Sequence, residues 1–129
     1  MEKINQNQNT TFCPTDLAGA YLVTGGSAAE RENWATRAIQ MVNCLQTETS
    51  RRPWAVCANC QKIEAKTFVD LLRVEAETSQ IKIEQIRGLK QNLSLTQFEA
   101  RIRAVLIVDC EKLNIIAQNA LLKTLEEPP

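Results

Sequence analysis

Short apolar runs along this chain alternate with longer stretches in which apolar residues recur every three or four positions. Residues 20–25 (AYLVTG) form the first run, closed by glycines, and predict a buried strand followed by a turn. From Ala28 to Leu45, the residues Trp34, Ala38, Met41, Val42 and Leu45 fall at helical spacing and predict one apolar helix face. A polar loop, QTETSRRP, leads into WAVCANCQKIEAK. Residues 70–76 (DLLRVEA) predict a second strand. A helix then carries Ile83, Ile86, Leu89, Lys90 and Leu93, with Gly88 as its weak spot. Residues 104–108 are continuously apolar, the pattern of a central parallel strand buried on both faces. The last helix sets Ile116, Ala120, Leu121, Thr124 and Leu125 on one face, with Asn114 as N-cap and Pro128-Pro129 as its stop.

Strands alternating with helices predict an α/β domain with a mainly parallel sheet and right-handed crossovers. The first predicted helix then starts at the carboxyl edge of a strand, where such sheets bind ligands. Residues 1–18, polar and rich in Asn, Gln and Thr, are expected to be a flexible lead-in, with the domain proper over 19–129. Because the chain stops directly after a helix, a further strand and therefore a longer protein are expected.

Composition narrows the function classes. Fifteen basic and fifteen acidic residues balance, so no charge argument favours nucleic acid or an anionic membrane, and Arg51-Arg52 reads as solvated loop. Neither a run long enough to span a bilayer nor a secretory-type segment is present, so the expected location is the cytoplasm. With no histidine in the chain, hydrolytic mechanisms built on that residue are excluded. Five cysteines, at 13, 44, 57, 60 and 110, are an odd number for a disulfide framework and read as reduced thiols, some of them candidate metal ligands.

The C-terminal NALLKTLEEPP (residues 119–129) resembles a signature of the bacterial clamp-loader subunits of DNA polymerase III, the delta-prime and tau/gamma proteins. AYLVTG resembles the strand entering their phosphate loop. Cys44 followed by Cys57 and Cys60 resembles their zinc module, as an insertion over 44–60. IKIEQIRGLKQNLSL and AVLIVDCEKLNIIAQ resemble their segments before and around the Walker B strand. The resemblance covers residues 19–129 and implies a P-loop (AAA+) nucleotide-binding-type domain, incomplete at its C-terminus. It also implies membership of an assembly that places a sliding clamp on primed DNA, with tau/gamma and delta subunits as partners and clamp and DNA contacted indirectly.

A phosphate loop needs glycines for close backbone approach, a lysine on the β/γ-phosphates and a Ser/Thr on magnesium. Against the family pattern this chain keeps Gly25 but sets Ala28 and Glu30 at glycine positions, Arg31 at the lysine and Glu32 at the Ser/Thr. Two carboxylates in a first helical turn suit the helix dipole and repel triphosphate. At the strand end Asp109 remains, while Cys110 takes the place of the water-orienting glutamate. Glu111 comes one residue late, on the opposite face if the chain is extended. No catalytic or nucleotide-binding residue is therefore expected. Loss of both motifs implies the delta-prime type, a scaffold without intrinsic activity inside the polymerase assembly; an active tau/gamma-type ATPase is the alternative. The arginine that delta-prime subunits lend a neighbour sits in a Ser-Arg-Cys motif not found up to residue 129.

In the family register the zinc ligands read Cys44, Trp54, Cys57 and Cys60, so one ligand has become tryptophan. Three thiolates leave structural zinc one donor short, to be met by carboxylate, water or another cysteine, or else the site has decayed and is held by packing of Trp54. A separate metal-binding or redox domain built on Cys57 and Cys60 is a third reading. It is disfavoured because the pair is not expected to open a helix after a thioredoxin-type strand.

Overall fold

The computed structural model describes residues 2–5, 19–46, 56–96, 98 and 100–127. In chain order the elements are β1 (Glu2–Asn5), β2 (Tyr21–Thr24), α1 (Ala28–Asn43), α2 (Ala58–Glu64), β3 (Leu71–Val74), α3 (Ile83–Leu93), β4 (Ala104–Ile107), a 3-10 turn (Cys110–Lys112) and α4 (Ile115–Glu126). Two compact units result, residues 1–69 with 99–102, and residues 70–98 with 103–129.

In the first unit β1 pairs with β2 in parallel, Glu2 opposite Tyr21 through Asn5 opposite Thr24. Residues 2–5 are thus a strand rather than part of a flexible lead-in, because the backbone of β2 supplies the ladder that their polar sequence does not advertise. Helix α1 buries Ala38, Ile39 and Val42, while Trp34 and Met41 are half-buried. Leu45 lies off the expected face and is 55% exposed, since α1 ends at Asn43 and Cys44 turns extended. Two polar residues take the inward positions instead. Asn43 Oδ1 accepts the backbone N–H groups of Arg101 and Ile102, both at 3.0 Å, and its Nδ2 donates to the Ile102 carbonyl at 3.0 Å. Helix α2 appears where the sequence reads only as a continuation from a loop, a single short span whose apolar signal is limited to Cys60 and Ile63.

In the second unit β3 and β4 pair in parallel, Leu71 opposite Ala104 through Val74 opposite Ile107, with α3 in the crossover that parallel strands require. A further parallel bridge joins Ile81 to Leu113. The core collects Val74, Ile81, Ile86, Leu89, Leu113 and Ala117, with Val105, Ile107, Ala120 and Leu121 packed on it. Ile86 and Leu89 occupy the face expected of α3. On α4 the expected face is only partly right. Ala117 and Thr124 are buried, whereas Ile116 and Leu125 are 62% and 42% exposed, because α4 is apolar on several sides and its Asn114 cap sets the phase. Strand β4 is half-buried throughout rather than enclosed, since among the described residues β3 is its one strand neighbour.

One buried ion pair fixes the strand ends of this unit. Asp70, 0% exposed, immediately precedes β3, and Arg103 immediately precedes β4. Their Oδ1 and Nη2 atoms are 2.9 Å apart. Arg103 Nε also donates to Asp70 Oδ1 at 3.2 Å, and the other guanidinium N–H groups go to carbonyls at and just past the end of α3: Nη1 to Asn92 at 2.7 Å and Leu95 at 2.6 Å, and Nη2 to Thr96 at 2.7 Å. The carboxylate also accepts the Phe98 N–H at 3.0 Å, and the Asp70 carbonyl accepts the Ala104 N–H at 3.0 Å, extending the ladder. Arg103→Leu, which leaves Asp70 buried without its cation, is expected to lower unfolding free energy by about 3–5 kcal/mol in a denaturant titration. Gly88→Ala should raise it by about 0.5–1 kcal/mol, because a Cβ at this helical position meets nothing within 4 Å.

Candidate functional site

The turn between β2 and α1 runs through Gly25 and Gly26, with φ of 88° and 60°, a left-handed pair that glycine adopts without a Cβ penalty. Ser27 returns to extended backbone and caps the helix. Its Oγ accepts the Glu30 N–H at 3.2 Å, while the Glu30 carboxylate accepts the Ser27 N–H at 3.1 Å. A carboxylate therefore already sits at the positive end of α1. Arg31 folds back, its Nη1 donating to the carbonyls of Gly25 at 3.2 Å and Gly26 at 2.8 Å. Carbonyls of the turn thus converge on the guanidinium. Ala28 is exposed and Glu32 half-buried, 3.9 Å from the exposed Lys66 Nζ, a long contact near the surface of small energetic weight.

Asp109 belongs to the second unit. The chain does not stay extended after β4. Asp109 takes left-handed backbone, φ 53° and ψ 58°, and residues 110–112 wind into a 3-10 turn. The alternation expected for Glu111 therefore does not apply. Glu111 is exposed on this turn, Cys110 packs against the core, and Lys112 Nζ lies 3.5 Å from the Asp109 carboxylate. Positive φ at aspartate is uncommon and signals a backbone held by its surroundings.

Cys44, Cys57 and Cys60 come together as the sequence spacing suggests. Their sulfurs all lie within 4.8 Å of one another, and all three residues are buried. Cys44 follows the last residue of α1, and Cys57 is the N-cap of α2, its Sγ accepting the Cys60 N–H at 3.3 Å. The Cys57–Cys60 pair thus does open a helix, contrary to expectation, because the cysteine sulfur can serve as the cap. Buried amides, which sequence reasoning missed, hold the two helices in place. Gln40 Nε2 donates to the Cys60 carbonyl at 3.1 Å, and Asn59 Nδ2 to the Asn43 carbonyl at 2.9 Å. Their sequence signal is faint: Gln40 and Asn43 interrupt the apolar stretch around Ile39 and Val42.

The sulfur spacing suits a thiophilic cation. Ligands about 2.3 Å from a tetrahedral zinc lie about 3.8 Å apart, and the Cys44 and Cys57 sulfurs are separated by 3.8 Å. The cluster could hold a metal, and it offers three donors among the described residues. Trp54, Cys13 and Arg51-Arg52 lie outside those residues. Burial pushes the Cys57 thiol up, but N–H groups of Leu45 and Cys60 and the Cys60 and Cys44 thiols outweigh it, lowering its pKa from 9.0 to about 7. No helix among the described residues is long and apolar enough to cross a membrane.

Comparison with known proteins is consistent along the whole chain. A family model described as DNA polymerase III, delta subunit matches residues 2–129. DNA polymerase III subunit tau of Escherichia coli is 37% identical over 110 residues, 85% of this chain and 17% of that subunit. Subunit delta' of Bacillus subtilis is 32% identical over 112 residues, 87% of this chain and 33% of that subunit. Subunit tau/gamma of Haemophilus influenzae is 36% identical over 113 residues, 88% of this chain and 16% of that subunit. The chain spans a third or less of the length of these relatives.

The lowered Cys57 pKa has a definite sign. A thiol whose folded pKa is depressed stabilises the fold fully above its ordinary 9.0, and that stability is lost as pH falls through about 7. In reduced, metal-free protein the thiolate ultraviolet absorbance should show one step near pH 7 that Cys57→Ser removes.

Proposed function

The chain belongs to the family of DNA polymerase III clamp-loader subunits related to tau and gamma; from that premise we propose that it acts as a non-catalytic, delta-prime-type subunit that scaffolds sliding-clamp loading in DNA replication. The observation carrying this reading is the closed turn at residues 25–31. A working phosphate loop directs backbone N–H groups and a lysine ammonium at the phosphates. In this turn the Glu30 carboxylate takes the Ser27 N–H, and Arg31 donates to the turn's own carbonyls. Triphosphate would have to displace a capping carboxylate and then face it. Glu32 at the Ser/Thr position adds a second negative charge, and Arg31 lacks the compact ammonium of the lysine it replaces. At the second motif Asp109 is engaged by Lys112, and Cys110 brings no carboxylate to orient water.

On this reading the protein works in the cytoplasm with tau/gamma and delta subunits, and meets the clamp and primed DNA through them. Zinc, the ion the family resemblance implies, would take Cys44, Cys57 and Cys60 as three of its four ligands. A second reading, an active tau/gamma-type ATPase, is favoured by the higher identity to subunit tau of Escherichia coli, 37% against 32% for subunit delta' of Bacillus subtilis. It requires Arg31 to release Gly25 and Gly26 and take up the lysine's role.

Thermal unfolding with and without millimolar Mg-ATP separates the two. The scaffold reading expects an unchanged midpoint. A nucleotide present at 100 times its dissociation constant would add about 2.7 kcal/mol, and a midpoint raised accordingly would overturn the scaffold reading in favour of the motor.

A further inference from the structure

Gln40, Asn43 and Asn59 are buried amides, 5%, 1% and 6% exposed. Burying an amide costs free energy unless its hydrogen bonds are made, and these three direct theirs at the backbone around the cysteines. Asn43 immediately precedes Cys44, and Asn59 immediately precedes Cys60. Asn59 Nδ2 donates to the Asn43 carbonyl at 2.9 Å, so the residue before Cys60 holds the peptide group that leads into Cys44. Gln40 Nε2 donates to the Cys60 carbonyl at 3.1 Å and to Glu64 Oε2 at 3.3 Å. One bond thus runs from α2 to α1 and the other from α1 to α2, and each ends at or beside a different sulfur-bearing residue. Cys57 stands on the same α2, as its N-cap. Asn43 is itself fixed from the far side. Its Oδ1 accepts the N–H groups of Arg101 and Ile102, both at 3.0 Å, and its Nδ2 donates to the Ile102 carbonyl at 3.0 Å.

An ion that finds its thiols already gathered loses less free energy to ordering the chain than one that must gather them. Partners outside the ligand set orient the ligands, and losing one costs about 10–100-fold in metal affinity. In this protein the part held is the backbone on which the thiols stand, at the end of α1 and the start of α2. The outcome is three sulfurs within 4.8 Å of one another before any ion is present. We propose that Gln40 and Asn59 are positioning residues for Cys44, Cys57 and Cys60, holding them in a ligating arrangement and so setting the affinity for a thiophilic divalent cation. The inference rests on the reading of the cluster as a metal site, whatever completes its coordination, and is independent of the scaffold role.

The test titrates the reduced full chain anaerobically with Zn(II) against a chromophoric chelator, and with Co(II) to read thiolate-to-cobalt absorption. Asn59→Leu and Gln40→Met are uncharged and close in volume to the residues they replace, and each removes the donor. Each should weaken zinc binding about 10–100-fold, while the cobalt absorption at saturation keeps its intensity because no sulfur is lost. Leu89→Ala, in the core of the other unit, lowers stability and should leave zinc affinity unchanged, which separates positioning from general loosening. Because either amide variant could fail to fold, NMR of the unaltered chain supplies a second readout. The side-chain N–H signals of Gln40 and Asn59 should already exchange slowly without metal. Signals protected only after zinc is added would overturn the proposal, as would folded variants that hold zinc as tightly as the unaltered chain. An unaltered chain that takes up neither zinc nor cobalt would overturn the metal reading itself, and this inference with it.

Discussion

An α-helix leaves its first N–H groups and last C=O groups without partners inside the helix, and a buried group left so costs about 1–3 kcal/mol. Among the described residues, α1, α2 and α4 meet that constraint at their starts with side chains from their own neighbourhood. Ser27 and Glu30 close the start of α1, Cys57 that of α2 and Asn114 that of α4. At α3 the Lys82 N–H is taken by Gln85 Oε1 at 3.0 Å. The far end of α3 is closed by Arg103, whose charge suits the negative end of the helix while Asp70 neutralises it from the other side. Breaking that pair would unseat the starts of both β3 and β4, because Asp70 and Arg103 are the residues immediately before them.

The same constraint governs the chemistry. A helix start with unmet N–H groups is a ready anion site, and the turn at residues 25–27 has the glycine geometry for one. Glu30 sets a carboxylate of the chain itself at that start, where it accepts the Ser27 N–H while Ser27 caps the helix. At α2 the capping group is a sulfur, so closing the helix and gathering the thiols are one event. The N–H that satisfies the helix also lies on Cys57 Sγ and favours its thiolate. In one place the capping box contributes a carboxylate, and in the other the cap is a thiol gathered beside two more.

Much of the architecture was legible because it rests on local patterning. The strand at residues 21–24, the inward face of α3 at Ile86 and Leu89 and the Asn114 cap follow from apolar spacing and capping chemistry within a few residues. Helix α2 was missed because it is short and its cap is a cysteine, a residue without a capping signature in sequence. The pairing of residues 2–5 was missed because a ladder depends on a partner strand distant in sequence. The expected alternation at Glu111 failed because Asp109 adopts left-handed backbone, which residue order does not announce.

By itself the sequence determined most of the strands and helices, the family, the residues Glu30, Arg31 and Glu32 at the start of the first helix, and three cysteines close in the chain. These are matters of residue type and local period, where interactions act between neighbours in the chain. Tertiary structure alone decided that Asn43 and Asn59 would be buried, that Arg103 would reach Asp70 across 33 residues, and that Cys44 would meet Cys57 at 3.8 Å. Each of these joins groups far apart in sequence, and their energy depends on burial. A polar or sulfur side chain shows no preference for such a partner until the fold has removed water from both.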